Sequence, residues 1–174
     1  MNKLLLTFAI LATAATTYAG DMKHEMPPPY TGSVELQKLK SLAGMWKGIS
    51  SDPHNGDNNM AIEYKVTGNG SSVVETIAPG SPMEMTTVYY DKDGKLAMTH
   101  YCALGNRPEM AMTASDGNSI TLSLVNGGEV SENETHMHSL KLIIPDADHL
   151  THEWSYYENG AQAATTTFTL TRAR

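Results

Sequence analysis

Residues 59–94 read NMAIEYKVTGNGSSVVETIAPGSPMEMTTVYYDKDG, and this stretch decides the fold class. Three segments in which apolar and polar residues alternate are separated by turn signals made of Gly, Asn, Pro and Asp. Gly and Asn tolerate positive φ and Pro fixes φ, so each signal can reverse an extended chain. The stretch therefore predicts consecutive antiparallel strands with one apolar face.

The same pattern continues over residues 44–171, where nine turn signals separate ten segments of strand-like sequence. Even spacing of this kind is typical of an all-β meander that closes into a barrel. We predict a single antiparallel up-and-down barrel of about ten strands in a domain spanning residues 34–174. The predicted strand segments are 44–51, 59–67, 71–78, 83–91, 95–104, 107–114, 119–125, 136–144, 149–158 and 161–172.

One short helix is predicted before the first strand. Ser33 is a suitable N-cap for a helix over residues 34–42, and Leu36, Leu39 and Leu42 would share one face of it. We expect that face to pack against one end of the barrel.

The first nineteen residues have the pattern of a signal peptide. Lys3 is followed by an apolar run over residues 4–15 and by small residues up to Ala19, where we expect cleavage. The apolar run is shorter than the roughly 20 residues of a membrane-spanning helix. We therefore expect a secreted or periplasmic protein without a membrane span, with residues 20–33 as a flexible lead-in.

Composition narrows the possible partners. The chain has 12 basic and 19 acidic residues, a formal net charge of −7, and no cluster of Lys and Arg. This charge argues against binding to nucleic acid or to anionic membrane surfaces. Cys102 is the only cysteine, so no intramolecular disulfide can form. The oligomeric state is left open.

The densest group of chemically versatile side chains lies in residues 96–110. A period of two places Met98, His100 and Cys102 on one strand face, which we assign to the interior. His and Cys at this spacing can ligate a metal or form a nucleophile–base pair, but zinc requires about three or four ligands. The alternative is a buried His that is hydrogen-bonded to a neighbouring side chain.

Other polar residues in the predicted strands also allow more than one interpretation. His138 and His152 would face inward on neighbouring strands or lie at the rim, and Glu75 would be a buried acid or a solvated wall residue. The pairs Met83-x-Met85 and Met110-x-Met112, and a group formed by Met22, His24 and Met26, suit copper. Methionine is also an ordinary filler of irregular cavities.

The ends of the predicted barrel resemble a known superfamily. Gly44-Met45-Trp46 opens the first strand and Arg172 closes the last. This resembles the calycin superfamily, which includes lipocalins and fatty-acid-binding proteins, and in which an early Gly-x-Trp packs against a late Arg. The resemblance implies a cation–π contact between Trp46 and Arg172, with Arg174 as the alternative partner.

A larger part of the chain, about residues 42–157, is similar to a bacterial family of secreted, lipocalin-like barrels of unknown function. The similarity is carried mainly by Thr99-His100-Tyr101-Cys102 and Gly105-Asn106-Arg107-Pro108. It implies a fold but no activity or cofactor. More distantly, the chain resembles nitrobindin-like barrels, which bind haem through a late histidine, and this implies His152 as the haem ligand.

Two functions are consistent with these observations. The first is a barrel that binds a small apolar or amphipathic ligand in its cavity, without a cofactor. The predicted lining comprises Tyr64, Val74, Met85, Met98, His100, Cys102, Leu122, Leu142 and Trp154. The second is a haem protein that acts on a small oxidant, with His100 or His152 at its centre. No catalytic residue or metal site is assigned, and whether the protein is an enzyme stays open.

Overall fold

The computed structural model describes residues 26–52, 58–126, 128–131 and 133–174. The predicted leader, residues 1–19, and the first part of the lead-in lie outside these residues. The described chain forms ten antiparallel strands, each paired with its neighbours in sequence, and the first strand also pairs with the last. The predicted all-β fold, a closed barrel with one short helix, is confirmed.

The strand boundaries agree with the sequence pattern to within about three residues. The helix α1 spans Val34–Ser41, and a 3-10 turn at Gly68–Gly70 lies between β2 and β3. The strands are β1 Gly44–Ser50, β2 Asn59–Thr67, β3 Ser72–Ile77, β4 Met85–Lys92, β5 Lys95–Tyr101, β6 Glu109–Ser115, β7 Ser119–Leu124, β8 His136–Ile143, β9 His149–Glu158 and β10 Ala161–Arg172.

Two hairpins show why the turn signals work. Asp93 and Gly94 both have positive φ, 53° and 77°, and they join Lys92 to its pairing partner Lys95. Asn159 and Gly160 have φ of 51° and 76° between β9 and β10. Two consecutive left-handed residues are the backbone pattern of the type I′ turn, whose twist matches that of the flanking strands.

The predicted alternation along the strands sets the two faces of the barrel wall. Leu122, Leu140 and Leu142 are completely buried, whereas Thr165, Thr167, Thr169 and Thr171 lie on the outward face of β10. The core thus fills most of the barrel, and it includes Ile62, Tyr64, Val73, Tyr89, Leu96, Met98, Met110, Ile120, Leu150, Phe168 and Leu170.

Helix α1 closes one end of the barrel. Leu36 and Leu39 of the helix are buried, and the Ser33 hydroxyl accepts a hydrogen bond from the Leu36 amide as the predicted N-cap. The Arg172 guanidinium lies 4.4 Å from the centre of the Trp46 ring, so the contact implied by the calycin resemblance is present. Both residues belong to the strands whose pairing closes the barrel.

The described part of the lead-in, residues 26–33, is hydrogen-bonded to the barrel. The Tyr30 amide donates to the Asn69 carbonyl at 2.8 Å, and the Ser33 hydroxyl donates to Asp91 at 2.7 Å. Within the described chain, no helix is both long enough and apolar enough to traverse a bilayer.

Candidate functional site

A small cavity lies at the barrel end away from α1. It has a volume of about 130 Å³. Its walls come from the last residues of β1, β3 and β5, the first residues of β2, β4 and β8, and the adjoining parts of β9 and β10. The lining residues are Ser50, Asp52, Met60, Ile77, Ala78, Met83, Met85, His100, Met137, Trp154, Thr166 and Phe168.

Four methionines from different parts of the sheet meet at this cavity. Met60 is the second residue of β2, Met85 begins β4, and Met137 is the second residue of β8. Met83, just before β4, lies at the mouth of the cavity and is 61% exposed. Met137 faces the cavity because β8 contains a bulge, which shifts the pairing between Met137 and Ser139. A bulge changes which residues point inward, so Met137 replaces His138 on the inner face.

His100 is a polar group in the cavity wall. Its Nδ1 lies 2.9 Å from the Thr87 hydroxyl, which fixes the orientation of the ring. The ring centre lies 4.7 Å from that of Trp154. Burial lowers the pKa of His100 to about 4, so the imidazole is neutral at physiological pH.

Trp154 belongs to the same wall and carries an unsatisfied donor in the protein interior. Its side chain is buried, and its Nε1–H has no hydrogen-bond acceptor among the described residues. A buried donor without an acceptor costs about 1–3 kcal/mol, so an acceptor that reached Nε1 would remove this cost. The other tryptophan, Trp46, donates its Nε1–H to the Leu42 carbonyl at 2.8 Å.

Deeper in the barrel, Glu75 is the centre of a buried polar cluster. Its carboxyl group accepts hydrogen bonds from the Tyr89 hydroxyl at 2.7 Å and from the Tyr64 hydroxyl at 3.2 Å. The Tyr64 hydroxyl also lies 2.8 Å from Nε2 of His152, and Nδ1 of His152 lies 3.4 Å from the Glu75 carboxyl. All four side chains are buried.

Burial decides the protonation of this cluster. It raises the pKa of Glu75 to about 7, although the hydrogen bonds from the tyrosines lower it, and it lowers the pKa of His152 to about 3. The distance between Glu75 and His152 would permit an ion pair, but removal from water disfavours both charges. We therefore assign a neutral histidine beside a carboxyl group that holds its proton up to about pH 7.

The structure brings only some of the predicted lining residues together. Met85, His100 and Trp154 line the cavity. Tyr64, Met98, Leu122 and Leu142 are buried in the packed core, outside that lining. Val74 lies on the face of β3 opposite to Val73, Glu75 and Ile77, because successive strand residues point to opposite sides.

Cys102 does not share a cavity with His100. It follows the last residue of β5, where its amide donates to the Asn106 carbonyl and begins a turn. It lines a separate open depression with Arg107 and Glu129, whose side chains form an ion pair. Burial raises the pKa of the thiol, which therefore stays protonated at neutral pH.

The residues around His152 do not fit a haem. Its Nε2 faces the Tyr64 hydroxyl, its Nδ1 faces Glu75, and the ring is completely buried. The cavity of about 130 Å³ is also smaller than the roughly 300–1,000 Å³ of pockets for cofactor-sized ligands. His138 is not a substitute, because it stacks on Tyr157 with 3.9 Å between ring centres.

Several residues of the cavity and of the cluster are absent from the predicted lining. Met60 and Phe168 carried a signal, since both lie on predicted apolar faces. Tyr89 shares the inward face of β4 with Thr87, which alternation could have shown. Met137 carried no signal, because a bulge is not visible in the hydrophobic pattern.

No protein-family model and no curated protein matches the chain. The closed barrel of ten antiparallel strands is consistent with a calycin-like fold. Among the described residues, no group of three or more His, Cys, Asp and Glu side chains could hold a metal ion.

Proposed function

We propose that the protein is exported and binds a small apolar or amphipathic molecule in the cavity at the barrel end away from α1. The observation that carries the proposal is a mainly apolar cavity whose wall contains His100 and Trp154, the latter with a buried, unsatisfied Nε1–H. Ligand sites combine an apolar lining with a few polar groups that fix the orientation of the ligand.

The volume limits the size of the ligand. A cavity of about 130 Å³ is close to the roughly 150 Å³ of an engineered apolar cavity that holds benzene. The bound group is therefore about the size of one six-membered ring, either as a whole molecule or as one end of a larger one. The methionine side chains can adapt to its shape, because the thioether chain is unbranched and flexible.

The polar groups of the wall define the preferred chemistry. The Trp154 Nε1–H requires an acceptor such as a carbonyl, ether or hydroxyl oxygen. His100 is a neutral imidazole whose Nδ1 is held by Thr87, so Nε2 is the ring nitrogen that a ligand can use. The proposal therefore favours a compact neutral molecule with one acceptor.

The two indole groups allow a direct test by NMR. Trp46 and Trp154 give two indole N–H signals, and Trp154→Phe assigns them. Benzaldehyde should shift the Trp154 signal more than toluene of similar shape does, because only benzaldehyde supplies an acceptor. The Trp46 signal, from the opposite end of the barrel, is the internal control. If neither compound moves the Trp154 signal at millimolar concentration, the proposed cavity does not bind ligands of this class.

Export is tested separately by expressing residues 1–174 in a bacterium with a periplasm. We expect the mature protein to begin at Gly20 and to be recovered from the periplasmic fraction. An intact Met1 in the cytoplasmic fraction would contradict export but leave ligand binding unaffected. Native mass spectrometry of the protein from its own host would then give the mass of any retained ligand.

A further inference from the structure

The cavity is unusual in the chemistry of its apolar lining. Four of its side chains, those of Met60, Met83, Met85 and Met137, carry thioether sulfur, and His100 adds an imidazole. Met60 lies on β2, Met83 just before β4, Met85 on β4, Met137 on β8 and His100 on β5. The closed barrel therefore brings them together from distant parts of the sequence. Thioether and imidazole are both ligands of soft or borderline metals.

We propose that this group of methionines, together with His100, binds one Cu(I) ion at the cavity. Thioether ligands select Cu(I) over hard cations such as Mg²⁺ and Ca²⁺, which require oxygen ligands. They also disfavour structural zinc, because zinc sites in proteins are built from thiolate, imidazole and carboxylate groups. This inference does not depend on the binding of an organic ligand.

The environment of His100 fits this role. A metal-binding histidine is neutral and has its second ring nitrogen fixed by a hydrogen bond. His100 lines the cavity, and the Thr87 hydroxyl lies 2.9 Å from its Nδ1 and fixes that nitrogen. Nε2 is then the ring nitrogen that remains for a metal ion.

Two further groups would favour a bound monovalent cation. The Trp154 ring lies beside His100, with 4.7 Å between the ring centres, and the face of an indole attracts cations. Asp52 is the carboxylate among the described lining residues and can balance the charge. A monovalent ion with neutral ligands also costs less to remove from water than a divalent ion does.

The test is an anaerobic titration of the purified protein with Cu(I), in competition with the chromophoric chelator bicinchoninate. Cys102→Ser is the background for every variant, because a thiol is also a soft ligand. We expect one Cu(I) per chain, with no displacement by a tenfold excess of Zn²⁺. Ag(I), which is not oxidised in air, should bind at the same stoichiometry.

Met85→Leu combined with Met137→Leu removes two thioethers but retains apolar volume, since Leu and Met are close in size. Loss of a residue that only orients a metal ligand costs about 10–100-fold in affinity, so loss of two ligands should weaken Cu(I) binding at least tenfold. Met110→Leu, a buried methionine outside the cavity, is the matched control and should change the affinity less than twofold.

Three outcomes would overturn the metal site. These are equal Cu(I) affinity in the double variant and in the background, loss of binding in Cys102→Ser alone, and equal loss in Met110→Leu. Circular dichroism checks that each variant is folded. The benzaldehyde measurement should survive in the double leucine variant, because its cavity stays apolar, and this separates the two proposals.

Discussion

Glu75 has no exposed surface and lies between two tyrosine hydroxyls and His152 in the interior of the barrel. The pKa of its carboxyl group differs between the folded and the unfolded chain, so the free energy of unfolding depends on pH through Glu75. The folded protein holds the proton up to about pH 7, whereas the unfolded chain releases it near the ordinary value of 4.5. The contribution of Glu75 is therefore fully present below about pH 4.5 and is lost as the pH rises through 7.

The two buried histidines act in the opposite direction. The pKa of His152 is lowered to about 3 and that of His100 to about 4, both by burial. The unfolded chain binds protons at these groups below about pH 6.5, so their contribution to stability is lost as the pH falls from 6.5 toward 3. A single variant is needed to isolate the effect of Glu75.

Glu75→Gln should isolate the effect of Glu75 on the free energy of unfolding. Glutamine keeps the shape of the side chain but does not titrate. Wild type loses stability between pH 5 and pH 8 because its buried carboxyl group ionises, and the variant does not. A pKa raised from 4.5 to about 7 corresponds to about 3 kcal/mol. Relative to wild type, the free energy of unfolding of Glu75→Gln should therefore improve by up to about 3 kcal/mol from pH 5 to pH 8, measured by urea unfolding.

The control is Glu153→Gln on the outward face of β9, where the carboxyl group lies 3.9 Å from Lys141. Its effect on the free energy of unfolding should be similar at pH 5 and pH 8. If the effect of Glu75→Gln on the free energy of unfolding is also the same at pH 5 and pH 8, the buried carboxyl group does not hold its proton up to about pH 7.

At the scale of single elements, the pairing of β1 with β10 closes the barrel, and Gly48 is essential for it. Gly48 faces Leu170 across the pair, and a Cβ atom added to it would lie 1.8 Å from the Thr169 carbonyl oxygen. That oxygen belongs to the backbone of the neighbouring strand and cannot move aside without breaking the ladder of hydrogen bonds.

Gly48→Ala should therefore destabilise the fold by about 3 kcal/mol or more, or prevent soluble expression. Gly117→Ala is the matched control, because a Cβ atom added at Gly117 would meet no described atom within 4 Å and the backbone there is not left-handed. Thermal unfolding of both variants, followed by circular dichroism, is the measurement. Equal melting temperatures for the two would show that β1 and β10 do not approach as closely as described.

At the scale of the whole molecule, Arg172 connects the beginning and the end of the domain. Its guanidinium lies over Trp46 and donates hydrogen bonds to the carbonyls of Ser41, Ala43 and Ala147, at 3.0, 2.9 and 2.8 Å. These acceptors belong to the end of α1, the residue before β1 and the loop before β9. One side chain thus fixes how the helix seals the closed end of the barrel.

Arg172→Lys keeps the charge but loses the planar fork that allows these hydrogen bonds. We expect a loss of about 2 kcal/mol in the free energy of unfolding, since a hydrogen bond to a charged group contributes about 1.5–3 kcal/mol. Arg174→Lys, at a side chain that is 91% exposed, should have little effect. Equal effects in urea unfolding would mean that Arg172 contributes no more than an exposed charge.

The sequence by itself determined the ten strands, their order and the capped helix. These follow from local rules, because turn residues act within a few positions and alternation with a period of two identifies the buried face. It left open whether Glu75 and His152 face the interior or the solvent, and the structure buries both.

Only the tertiary structure decided which inward residues leave a cavity and which fill the core. Tyr64, Met98, Leu122 and Leu142 carry the same pattern as Met85 and Trp154, but they meet neighbours across the barrel that fill the space. The inward turn of Met137 depends on a bulge, and the unsatisfied Trp154 donor depends on what lies opposite its ring. Such packing depends on contacts between residues that are far apart in the sequence, and periodicity along one strand does not contain that information.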